Sequence, residues 1–145
     1  MGPEYIDNML QRKGAIQTSL TTALNTRLVT GNLLKEASDY TDDERRQGVV
    51  QVISAGEKDY KISPGMIAKE GHHTILLACW LYVDDTPTKG EDIEAAEMTL
   101  IEEIKTWARG PFTTMGVRVV SAEHSKQQQA PWGWALVVLD VGPKL

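Results

Sequence analysis

From Ile75 to Val83 the chain is apolar at every position. Successive side chains of an extended segment point to opposite faces. Ile75, Leu77, Cys79, Leu81 and Val83 would therefore line one face, and Leu76, Ala78, Trp80 and Tyr82 the other. A strand with two apolar faces belongs in the middle of a sheet, and the pattern predicts such a strand over His73–Val83, covered on both sides. A buried helix is the competing reading of an apolar run. This run is short for a helix, and Asp84-Asp85-Thr86-Pro87 follow it as a stop and a turn.

Ahead of this strand the apolar spacing is helical. Ile6, Met9, Leu10, Ile16, Leu20, Ala23 and Leu24 recur mostly at three- and four-residue intervals, one stripe of an amphipathic helix that Gly14 weakens near its middle. The polar face, with Gln11, Arg12, Lys13, Gln17, Thr18 and Thr22, is expected to meet solvent or a neighbour. Between Leu28 and Gly48 the period is lost. Gly31-Asn32 signals a turn, and the segment reads as loop with one helical turn around Leu33 to Ala37. Its charged stretch, Asp42-Asp43-Glu44-Arg45-Arg46, nearly cancels in sign and reads as solvated surface. The β-branched run Val49–Ser54 predicts a second strand. A hydrophilic excursion over residues 56–71 then leads to the central strand. Tyr60 and Ile62 suggest a short strand there, Ser63-Pro64-Gly65 a turn, and Met66-Ile67 a return. Carrying Lys58, Asp59, Lys61, Lys69 and Glu70, this excursion is expected to project from the sheet as a polar arm.

After the central strand, Thr88 and Glu91 have capping-box spacing. Ile93, Ala96, Leu100, Ile101, Ile104, Trp107 and Ala108 then form a second helical stripe, closed by Gly110-Pro111. Glu94, Glu97, Glu102 and Glu103, with Lys105, make the opposite face acidic. Val117, Val119 and Ser121 begin another strand, Ser125 to Pro131 form a polar connection, and Trp132–Leu139 return as the last strand of a hairpin. The order implies an α+β fold, a mainly antiparallel sheet with two helices packed on one face. At 145 residues the chain, 1–145, is most simply a single domain, long enough to bury a core without disulfides or metals.

Charge and chemistry narrow the function. Fifteen basic and twenty acidic residues give −5, which argues against a general binder of nucleic acid or acidic membrane. Cys79, the single cysteine, sits mid-strand and reads as a small buried hydrophobe. The apolar run is too short for a bilayer span and no signal-like block opens the chain, so a soluble protein made in a cytoplasm is expected. Neither a dinucleotide nor a phosphate-loop glycine pattern appears, and no serine or cysteine stands in a nucleophile-elbow motif. Adjacent His72 and His73 would point to opposite faces, His124 lies far along the chain, and Asp84-Asp85 before Thr-Pro reads as a turn. The acidic helix face spreads its carboxylates along a surface. The expectation is no catalytic residue, no cofactor and no metal site.

Val49–Ile53, Gly56-Glu57, Tyr60, a polar arm, and then Ile75–Val83 followed by a helix and a closing hairpin resemble the tail terminator proteins of long-tailed bacteriophages, the lambda minor tail protein U type. The resemblance covers nearly the whole chain in element order. It departs in the longer segment between Leu28 and Gly48 and in the glutamine-rich loop near Gln127. It implies a structural protein, not an enzyme. Such a protein assembles as a homo-hexameric ring, ends polymerisation of the tail tube and forms the head–tail junction. The implied partners are the tail tube protein and the head–tail connector or neck proteins, with no membrane and with DNA only passing through the ring lumen. The implied location is the virion tail, assembled in the host cytoplasm. Lys58, Lys61, Lys69 and Glu70 on the arm are the candidate contacts to tube or neck. Two alternatives stand beside it: another phage neck protein, as head completion, adaptor or tube protein, and a small-molecule enzyme whose carboxylates converge in the fold.

Overall fold

The computed structural model describes residues 8–31, 39–60, 62–63, 66–67, 71–83, 90–110, 116–125 and 131–142. In chain order the elements are α1 (Met9–Ala23), β1 (Leu28–Thr30), α2 (Asp42–Gln47), β2 (Val49–Lys58), β3 (Ile62–Ser63), β4 (Met66–Ile67), β5 (His72–Tyr82), α3 (Gly90–Arg109), β6 (Val117–His124) and β7 (Trp132–Val141). Five strands form one sheet in the order β1-β2-β5-β7-β6, and β3 and β4 pair separately. Among the described strands of this sheet only β1 and β2 run parallel; β2–β5, β5–β7 and β6–β7 are antiparallel. The fold is therefore α+β with a mainly antiparallel sheet.

The apolar run is the centre of this sheet, with Leu77 flanked by Val52 and Val137, and Cys79 by Val50 and Ala135. Its two faces are not equally covered, which corrects the sequence expectation. His73, Ile75, Leu77, Cys79 and Leu81 are buried, whereas Leu76, Ala78, Trp80 and Tyr82 are half-buried. The buried side carries the core. Ile16, Leu20 and Leu24 from the first helical region and Leu100, Ile101, Ile104 and Trp107 from α3 join one cluster with Ile75, Leu77, Cys79, Val137 and Leu139. The two helices also touch directly, since Trp107 Nε1 donates to Ser19 Oγ at 2.8 Å.

Each helix departs from its expected stripe at one charged position. In α1, capped by the Asn8 side chain accepting from the Gln11 N–H, the buried residues are Arg12, Ile16 and Leu20, while Leu10 is 78% exposed. Arg12 thus occupies the slot four residues before Ile16 that an apolar residue would fill. In α3 the stripe holds, but Glu97 turns inward and is fully buried. Its Oε2 accepts the Trp134 N–H at 2.8 Å, one residue beyond the last β6–β7 pair, His124 with Ala135. The carboxylate thereby serves a strand N–H that β6 no longer reaches.

The segment read as loop holds two elements. Leu28–Thr30 adds a short parallel edge strand, and the charged patch from Asp42 is a helical turn, α2, closed by a full capping box between Thr41 and Glu44. That helix lies at the half-buried side of β5. The Arg46 guanidinium sits 4.9 Å over the Tyr82 ring, and Trp132, edge-on to Tyr82 at 6.1 Å, donates its indole N–H to Asp42 at 3.2 Å. The patch is therefore part of the packing and not only solvated surface. Expectations for residues 33–37, Thr88 and Pro111 fall outside the described residues.

Candidate functional site: the base of the arm

The polar excursion leaves the sheet at the end of β2 and returns at the start of β5, and both legs are fixed by one buried side chain. β2 is regular against β5 as far as Ser54 opposite Ile75, then shifts register before Glu57 pairs with His73 and Lys58 with His72. Gly56 makes the shift with φ +99, a conformation that a side chain would strain. Beyond it Glu57 is turned inward. Arg12, whose side chain has no exposed surface, places Nη1 2.8 Å from Glu57 Oε2 and 2.8 Å from the carbonyl oxygen of Gly71. One guanidinium nitrogen thus donates to the outgoing leg and to the returning leg together. The legs are close here: a Cβ on Gly71 would collide with the Lys58 carbonyl oxygen. Tyr60 completes the clasp by donating its hydroxyl to Glu57 Oε1 at 2.8 Å.

A second polar contact lies beside the first. His73 is fully buried, with Nε2 2.7 Å from Ser54 Oγ across the same pair of strands. Burial holds its pKa below the usual histidine range, the Arg12 cation lowers it further, and Glu57 opposes both weakly. The imidazole is therefore neutral near pH 7. A hydroxyl beside an imidazole is half of a nucleophile pair, yet His73 is enclosed and its Nδ1 has no hydrogen-bond partner to orient it. The contact satisfies one nitrogen of a buried ring.

The arm itself is a hairpin. Ile62 pairs with Ile67 and Ser63 with Met66, apart from the five-stranded sheet. Of the four arm residues singled out in the sequence, Lys58 is exposed at the end of β2; Lys61, Lys69 and Glu70 fall outside the described residues. Arg12, Glu57 and Tyr60, which link at the base of the arm, were not among those four residues. The period carried one signal: positions 12, 16, 20 and 24 form an unbroken four-residue repeat whose first member is charged.

Among the described residues, other polar groups do not gather into a second centre. The three histidines take separate partners: His72 lies 3.1 Å from Asp140, His73 contacts Ser54, and His124 Nδ1 lies 3.4 Å from Glu97. Among the described residues no group of three or more histidine, cysteine or acidic side chains could hold a metal ion. Cys79 is buried, its thiol pushed up to about 12 by desolvation, so it is inert as a nucleophile. An open cleft of about 810 Å³ lies at the other end of α1, against α3, lined by Ala23, Leu24, Met98 and Trp107. Its carboxylates are already engaged, Glu102 by Lys105 and Glu103 by Arg27. Among the described residues no helix is long and apolar enough to cross a membrane. No protein-family model matches the chain, and no curated protein is similar enough to be matched.

Proposed function

We propose that this chain is a structural protein of a phage tail that caps the tail tube as a homo-hexameric ring, ends tube polymerisation and joins tail to head. The observation that carries the reading is the arm: a hairpin outside the main sheet, with both legs clasped by a buried Arg12. A protein that recognises the end of a preformed tube needs a projecting element held in a fixed direction, because loose segments lose ordering entropy on docking. The arm meets the tube or neck through Lys58, Lys61, Lys69 and Glu70. Charges at such a rim tune partner choice and association rate more than raw affinity. A net charge of −5 suits a ring through which DNA passes without being held. The protein acts in the virion tail, after assembly in the host cytoplasm, and performs no turnover chemistry.

The test replaces Lys58 to Lys69 by a short Gly-Ser turn and assays tail length and head joining in infected cells. Overlong or unjoined tails are expected. Tails of normal length joined to heads would remove the arm from the tube contact.

A further inference from the structure

Among the described residues, two features of the fold lack a partner strand within the chain. The first is β6, which ends the five-stranded sheet and, among the described residues, bonds to β7 along one edge only. Its Val117 and Val119 pack against the core yet remain partly exposed. Val120, skipped by the register shift between Val119 and Ser121, has no partner in β7 and is 52% exposed. An edge of eight residues with unpaired peptide groups is a template for another extended backbone. The opposite edge, β1, has only three residues, so the two ends of the sheet are not equivalent.

The second is the hairpin of β3 and β4. Among the described residues it consists of two register pairs and joins neither edge of the main sheet. A two-stranded hairpin is marginal in water even when longer, and becomes stable when it packs or pairs with something else. Its sequence, Ile-Ser on one strand and Met-Ile on the other, is that of a segment suited to a sheet.

We propose that the β3–β4 hairpin of one copy adds to the free β6 edge of the next copy, so that the arm is the subunit-to-subunit contact of the ring. This rests on the ring reading above. The occupant is a second copy because the chain itself carries a strand pair apart from its main sheet, beyond the Arg12 clasp at its base. Both surfaces also offer both signs of charge: exposed Arg118 and Glu123 on β6, exposed Lys58 and Asp59 at the foot of the arm. Main-chain pairing supplies the attraction, as in other strand-addition contacts. Hairpin and edge are different surfaces of one chain, so the contact is head-to-tail, the type that closes rings. The tube is then met by side chains flanking the seated hairpin, Lys58 among them.

Mixing two variants tests this. Val120→Pro blocks the edge at the residue that β7 does not use, and Val120→Lys does so without touching the backbone. The armless variant, with residues 58–69 replaced by a Gly-Ser turn, keeps the edge and loses the donor. Each variant alone is expected to melt cooperatively and to run as a monomer. A mixture of the armless and Val120→Pro proteins is expected to give a two-chain complex and no ring, since only one of its contacts can form. Val120→Pro and Val120→Lys proteins that keep the full ring mass, or a mixture that stays monomeric, would overturn the proposal while leaving the ring reading intact. A wild-type chain that forms no ring removes the ring reading itself.

Discussion

A guanidinium taken out of water costs several kcal/mol unless its donors find acceptors, and Arg12 finds them on both legs of the arm. Removing one partner of such a pair leaves an uncompensated buried charge. Arg12→Met is therefore expected to destabilise the fold by about 3–5 kcal/mol in urea unfolding, by leaving Glu57 buried without its counter-ion. Arg12→Met with Glu57→Met removes both charges and is expected to recover most of that loss. A double variant no more stable than the single would show that the pair is not what holds the legs. His73 adds a pH dependence of known sign. Its folded pKa is depressed below the ordinary 6.5, so the unfolded chain binds a proton that the folded chain refuses. Its stabilisation is complete above pH 6.5 and is lost as pH falls through the depressed value. His73→Gln should flatten the stability curve on the acid side, and an unchanged acid limb would assign the loss to other groups.

Among the elements, β5 shows what patterning can and cannot fix. Its place in the middle of the sheet was legible because it is the longest uninterrupted run of apolar side chains. Its one-sided burial was not, since alternation is invisible when both sets of positions are apolar. Neighbouring residues now separate the two readings. Leu77→Asp puts a carboxylate into the closed core and is expected to prevent folding, whereas Leu76→Asp, on the half-buried face, should leave a cooperative thermal transition. Equal loss of structure in both would mean that the two faces are equally covered. α2 and β1 were missed for a different reason. A six-residue helix and a three-residue strand are shorter than any periodic window, and only the Thr41–Glu44 capping spacing marked the first. Arg12 and Glu97 were misread because a charge on a helix is read as facing water. Their burial depends on acceptors and donors far along the chain, Glu57 and Gly71 for one and Trp134 for the other.

At the scale of the molecule, the described residues present a clasped arm, a sheet edge at β6 and carboxylates that are spread or already paired. Under the proposed function, these are the features by which the chain fits against other chains. The arm was legible as a hydrophilic insertion between two strands, and its direction was not, because the clasp that sets it is built from α1. The central claim is that this part closes into a ring of six. Light scattering of the purified protein over a range of concentrations measures that most directly. The account predicts a species of six times the chain mass with no larger open-ended polymers, and a chain that remains monomeric at every concentration, alone and with tail tubes added, would contradict it.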